Sequence, residues 1–370
     1  MRRSSGLRRK RPFNSDAGPY VGYYSSVNTT CFHVNFSVET VSTLPASWVV
    51  KGKKANLGSV STSVGDAMSG KGSFVSAVEH VRRMRGGAQS QLLRCSDGEY
   101  YVVKFQNNPQ GPRILANELL ATFLAKRLDL PVPEAAIVNV SAEFIRHTDE
   151  LVIQLEHDRI PCRPGLCFGS RYPRNPSTKL SCLHAVQDLL PEGQFRAVTN
   201  ISDFVGMLVF DKWLGNTDDR QCVYFREDGQ FHYKALMIDH GFCFNGQEWN
   251  FSDVPRRGLC PRPFVYEGIR GIDAFDWWIS RLEEEINENV LRSGFEAIPQ
   301  EWYGHDEGSL FKLLEMLDNR RTQMRELLCA TAAKLPKFFP NWTRKPSQPR
   351  ERASGFEANS AIVRGLDSLG

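Results

Sequence analysis

Apolar residues recur at helical spacing in several long stretches of the chain. Leu115, Leu119, Leu120, Phe123, Leu124 and Leu128 form one stripe. Phe204, Met207, Leu208 and Asp211 mark a helix from about Ile201 to Leu214, closed by Gly215. Asp273 to Leu291 and Ser309 to Leu335 read as amphipathic helices, the latter carrying Leu310, Leu313, Leu314 and Leu317. Shorter β-rich runs precede and interrupt these helices. Gln91 to Cys95 and Glu99 to Phe105 flank the turn Ser96-Asp97-Gly98, and Ala135 to Val140 is a further strand. Cys222 to Arg226 and Phe231 to Ile238 form a hairpin around Glu227-Asp228-Gly229-Gln230. Strands dominate the first part and helices the second, which predicts an α+β fold with a β-rich lobe at 73–140 and a mostly helical lobe at 141–338.

The pattern is weaker elsewhere. Asp149 to Glu156 fits strand or helix, Pro161 to Pro176 reads as a Pro/Gly/Arg loop, and Ser177 to Leu190 as a loop entering a helix. Residues 1–72 are rich in Ser, Thr, Asn and Gly and are expected to be a disordered tail or an upstream extension, with Met68 a candidate start. Residues 339–370 are expected to be a flexible tail.

The hairpin brings chemistry with it. Its strands run alongside each other, so Asp218, before the first, and Asp239, after the second, fall at the same end of the sheet. Two carboxylates about 4 Å apart repel by about 4 kcal/mol at an effective dielectric near 20. A proton, a basic side chain or a metal ion must sit between them, and a metal held over a phosphate is one natural occupant. Gly86-Gly87 lies between strands, where backbone amides can approach a phosphate closely. Lys104 follows on the next strand, on the face opposite Val103 and Phe105. Glu118 flanks the apolar stripe of the next helix, within reach of a sheet lysine.

Composition narrows the alternatives. The 370 residues are 41% hydrophobic and 24% charged, enough for a substantial core. A net charge of +4, part of it in Arg2, Arg3, Arg8, Arg9, Lys10 and Arg11, is too mild to argue for nucleic acid. The nine cysteines are scattered with no CxxC pair, which fits a reducing cytoplasm. No apolar run reaches the roughly 18 residues of a membrane span.

Taken together and in order, several blocks resemble the bacterial HipA-like kinase domain. They are Met84-Arg85-Gly86-Gly87-Ala88-Gln89, Val102-Val103-Lys104-Phe105, Asn117-Glu118, Phe168-Gly169-Ser170-Arg171, Gly215-Asn216-Thr217-Asp218-Asp219-Arg220-Gln221 and Ile238-Asp239-His240-Gly241-Phe242. The resemblance spans about Val75 to Lys337. It implies a two-lobed protein-kinase-like fold, akin to phosphoinositide kinases, that binds ATP and Mg²⁺ between its lobes. Carried over by position, Gly86, Gly87, Gln89 and Ser90 form the nucleotide loop, Lys104 holds ATP phosphates, and Glu118 orients Lys104. Asp218 is the catalytic base and Asp239 the metal ligand. Asp219 is the alternative base and joins Arg220 in the catalytic set, because Asp-Arg-Gln resembles the Asp-Arg-His of lipid kinases.

One departure stands out. A second metal-binding Asn is expected five residues after the catalytic Asp, where this chain has Val223, or Tyr224 counted from Asp219. Gln221 and Asn216 are the nearby oxygens that could replace it. The implied activity is transfer of the γ-phosphoryl group to a hydroxyl acceptor, a protein Ser/Thr by analogy, with Ser90 a candidate for self-modification. The rival reading is a nucleotide-binding pseudokinase acting as an interaction module.

Overall fold

The structure, a computed structural model, describes residues 73–173, 186–227 and 229–343. The expectations for 1–72, for the tail beyond 343, for Asp228 and for much of 177–190 lie outside the described residues.

In chain order the first part contains β1 (Ser73–Arg83), β2 (Gln91–Cys95), β3 (Tyr100–Lys104), α1 (Arg113–Arg127), β4 (Ala135–Val140), α2 (Ala142–Arg146), β5 (Val152–Gln154), β6 (Arg159–Pro161) and β7 (Gly165–Arg171). The second contains β8 (Val186–Gln187), α3 (Asp203–Trp213), β9 (Gln221–Phe225), β10 (Lys234–Ile238), α4 (Asp276–Glu285), α5 (Glu288–Glu296), α6 (Glu307–Arg320) and α7 (Met324–Lys334).

Five strands close into a barrel in the order β1-β2-β3-β7-β4, with β1 and β4 parallel across the seam. Period-two alternation explains its core. Leu93, Tyr101, Val103, Ala136, Val138 and Cys167 pack inside. Lys104 therefore leaves β3 on the other side, toward α1, as its spacing predicts. α1 packs across β7 and β4 and buries Leu115, Leu119, Leu120 and Leu124.

The stretch Pro161 to Pro176, expected to be a loop, contains β7, the strand that joins β3 to β4. The closed barrel thus takes in residues up to Arg171, beyond the 73–140 stretch. Two glycines disguise the strand. At Gly169 a Cβ would meet Val138 Cγ2 at 2.6 Å and Tyr101 Cβ at 3.3 Å, so only glycine lets the neighbouring strands close in. Arg171, at the end of β7, pairs with Glu99 at 2.9 Å.

The helical part is built on α3, which buries Phe204, Met207, Phe210 and Trp213. Trp213 donates its indole N–H to the Leu317 carbonyl of α6 at 2.9 Å, and Arg320 returns to the carbonyls of Trp213 and Lys212 at 3.0 and 2.8 Å. The small sheet β10-β9-β8 takes β8 from before α3 and the hairpin β9-β10 from after it. Its last strand begins at Lys234 rather than Phe231, because the Tyr233 backbone is taken by Ala197 and Thr199 at 2.8 and 2.9 Å. Phe231 is left 84% exposed. Among the described residues no helix is long and apolar enough to cross a membrane.

The barrel makes a direct prediction. Gly169→Ala overpacks its wall and should destabilise the protein by about 1–3 kcal/mol, read as a lower urea midpoint with an unchanged slope.

Candidate active site

The hairpin delivers its two acids as the sequence implies. Gln221 pairs with Ile238, so the chain enters β9 from the Asp218 turn where it leaves β10 into the Asp239 turn. The turns are tied together, since Thr217 donates both its amide and its hydroxyl to the Phe242 carbonyl, at 3.0 and 3.3 Å. Asp239 holds the left-handed conformation, φ +59°, a strained setting for a residue with a side chain.

Asp218 is fixed from several sides. Its amide donates to Asn216 Oδ1 at 3.0 Å, and its carboxylate accepts from the Asp219 amide at 2.8 Å and Gln221 Nε2 at 3.1 Å. Asp219 pairs with Arg256 at 3.2 Å. Burial raises the Asp219 pKa, Arg256 pulls it back, and neighbouring Asp218 adds to the rise.

Two expected site residues take a different place. Arg220, expected in the catalytic set, has a side chain with 0% exposure, locked bidentately on Asp211 at 2.8 and 2.5 Å and on the Ile238 carbonyl at 2.7 Å. It braces α3 against the end of β10, one residue before Asp239. Asn216, expected as a metal oxygen, is 3% exposed, with its oxygen on the Asp218 amide and its nitrogen on Asp211 at 2.9 Å. It positions Asp218 instead. Gln221 is exposed at the start of β9, donating to Asp218.

Across from the acids stands Lys104. Its ammonium meets Asp239 Oδ1 at 2.8 Å and also contacts Glu118 Oε1 of α1. The side chains of Lys104 and Glu118 are 9% and 3% exposed, that of Asp239 29%. Burial alone would lower the Lys104 pKa, but Asp239 and Glu118 outweigh it and the net shift is upward. Burial likewise opposes the charge on Glu118, yet Lys104 and then His240 hold its pKa below the usual carboxylate range. His240 is buried, with Nδ1 3.7 Å from Glu118 Oε2 and its ring edge-on to Phe210. Burial lowers its pKa.

Sequence reasoning missed the role of Asn117. Buried on α1, it donates to the carbonyls of Gly241, Cys243 and Gly246 at 2.8, 3.1 and 2.7 Å, and accepts from the Trp249 indole at 2.8 Å. It pins the segment after Asp239 to the helix that carries Glu118. A polar residue inside an apolar helix face was the signal available.

The glycine loop is a tight turn, with Gly86 at φ +118° and the Gln89 amide on the Gly86 carbonyl at 3.2 Å. Gln89, expected at the nucleotide, spends its side-chain amide on the Gln154 backbone, donating and accepting at 2.7 Å each. Ser90 is 6% exposed, so its hydroxyl is shut away from an acceptor position in this conformation. Val223 is buried on β9 opposite Leu236, and it brings no oxygen donor to the position where the second Asn was expected.

Residues 77–248 match the family model of HipA-like kinases. That span holds Lys104, Glu118, Asp218 and Asp239, and over it the resemblance read from the sequence holds. No curated protein matches the chain. Similar solved structures include a Golgi casein kinase, at 13% identity over 71% of this chain and 76% of that one, TM-score 0.40. The Golgi casein kinase with Mn/ADP bound is 12% identical over 70% and 73%, TM-score 0.40. The Helicobacter pylori proinflammatory kinase CtkA is 15% identical over 71% of this chain and 99% of that chain, TM-score 0.45.

The buried pair sets an acid limb. Glu118 has a folded pKa below its unfolded value of 4.5, so its stabilisation is present above that pH and is lost as pH falls through the folded value. Glu118→Gln should cost about 3 kcal/mol at neutral pH. The gap from wild type should narrow as urea denaturation is repeated at progressively lower pH.

Proposed function

From a HipA-like kinase segment over residues 77–248, we propose that this protein is an ATP-dependent kinase that phosphorylates a hydroxyl acceptor, a protein Ser or Thr. The observation that carries the reading is Lys104 meeting both Glu118 and Asp239. A buried ammonium oriented by one carboxylate and set beside a second, more exposed one is what a triphosphate and its metal need.

The residues fit Mg²⁺. That ion takes oxygen ligands, commonly one or two carboxylates completed by phosphates and water. Asp239 supplies such a carboxylate, partly exposed on a backbone that lifts it from the sheet end. Among the described residues no group of three His, Cys, Asp or Glu could hold a metal ion. Asp239 would hold Mg²⁺, whose charge, when bound, neutralises the triphosphate oxygens.

Lys104 then grips the phosphates from the other side, and Glu118 keeps its ammonium aimed. The Gly86-Gly87 amides cover the nucleotide. Asp218, held by Asn216 and Gln221, orients the acceptor hydroxyl and takes its proton. The hydroxyl oxygen bonds to the γ-phosphorus, the bond from that phosphorus to the β–γ bridging oxygen breaks, and ADP leaves. Most of the catalysis is positioning and electrostatics.

Val223 favours a second reading, a nucleotide-binding pseudokinase, because one metal donor of the implied set is missing. Radiolabelled ATP with Mg²⁺ or Mn²⁺ separates the two. The kinase reading predicts phosphate transfer that falls by about 10³-fold or more in Asp218→Ala, with thermal stabilisation by ATP retained. ATP stabilisation with no Asp218-dependent transfer would establish the second reading. Asp239→Asn should remove the metal-dependent part of ATP stabilisation, measured as the melting-temperature shift with and without Mg²⁺.

A further inference from the structure

The segment that closes on the Asp218 turn from the other side carries charge that the proposed chemistry does not use. Its backbone is fixed there. The Gly258 amide donates to the Asp218 carbonyl at 2.8 Å, and the Arg220 amide to the Leu259 carbonyl at 2.9 Å. From α3, Lys212 donates to the carbonyls of Pro255 and Arg257 at 2.7 and 2.6 Å, with Val254 at 3.4 Å. Gly258, at φ +73°, has its Cβ position 2.9 Å from Asp211 Cβ, so the chain here lies hard against α3. The residues just before it are presented at a set distance from Asp218.

Those residues are Arg256 and Arg257, both exposed. Arg256 reaches Asp219 at 3.2 Å and lies 4.7 Å over the Phe338 ring. Arg257 and Lys334, the last residue of α7, line a cavity of about 150 Å³ that backs onto Gly215 and Asn216. The charges around it do not cancel. Arg220 answers Asp211, Arg320 answers Asp253 at 2.7 Å, and Arg256 answers Asp219. Lys212 is engaged by its carbonyls. Arg257 and Lys334 have no ion-pair partner among the described residues, and the wall keeps an excess of positive charge.

We propose that Arg256, Arg257 and Lys334 form an anion subsite for the acceptor, so that the kinase selects hydroxyl residues flanked by carboxylates or by a phosphate. This rests on the kinase reading and names the acceptor class within it. The exposed Arg256–Asp219 pair is weak and exchangeable, so an incoming anion can take the place of Asp219 on the guanidinium. A carboxylate or phosphate also matches the planar fork of an arginine, which gives the contact direction as well as strength.

Fluorescence anisotropy on the full chain tests it with three labelled serine peptides. One has glutamates on both sides of the serine, one has phosphoserines in their place, and one has glutamines. At low salt the two charged peptides should bind about tenfold or more tighter than the glutamine peptide. Combined Arg256→Ala, Arg257→Ala and Lys334→Ala substitutions should abolish that preference. Arg257→Glu alone, at an exposed position, should shrink it and serves if the triple variant does not fold. The ranking of glutamate against phosphoserine identifies the anion taken, and either order upholds the subsite. Equal binding of charged and neutral peptides, or a preference that survives both variants, overturns it. Because binding is read without turnover, this outcome is separate from the kinase reading, which stands or falls on Asp218-dependent transfer.

Discussion

A single buried ammonium joins the three parts of this protein that matter for its chemistry. Lys104 comes from the barrel, Glu118 from the helix packed on it, and Asp239 from the end of a hairpin more than a hundred residues later in the chain. A lysine this deeply buried survives as a cation only because carboxylates meet it. Glu118, buried as deeply, is in turn tolerable as an anion only beside a cation. The charge balance therefore constrains how the barrel, α1 and the Asp239 turn are set against one another, and it leaves the most exposed member of the trio, Asp239, facing outward.

Two polar braces hold that arrangement from behind. Asn117 fastens the chain after Asp239 to α1, next to Glu118. Arg220 and Asp211 fasten the end of β10 to α3, and Asn216 extends the same network to the Asp218 amide. Both braces are almost fully buried and well hydrogen-bonded, so each rigidifies its turn instead of leaving an unpaired polar group. The strain of Asp239 at positive φ is supported by this over-determined surrounding.

Much of the site was legible in the sequence because it rests on local rules. Period-two alternation placed Lys104 on the outer face of β3, helical spacing put Glu118 beside the buried stripe, and hairpin pairing brought Asp218 and Asp239 to one end. What the sequence hid depends on long-range packing. The β1–β4 seam joins Ser73–Ser76 to Ala136–Asn139, and no local pattern announces it. β7 was concealed by Gly165 and Gly169, which look like loop residues; Gly165 takes a positive φ of +126°, and at Gly169 the neighbouring strands leave no room for a side chain. Arg220 and Asn216 sit within a motif of catalytic type, but their burial turns them into supports. Residue type alone does not reveal which side of a turn faces the cleft.

The most direct measurement is a crystal structure of the full chain with Mg²⁺ and a non-hydrolysable ATP analogue. The account predicts a metal ion about 2.1 Å from an Asp239 carboxylate oxygen, with the Lys104 ammonium on the phosphates and still held by Glu118. A triphosphate bound away from Lys104, or a metal with no contact to Asp239, would contradict it.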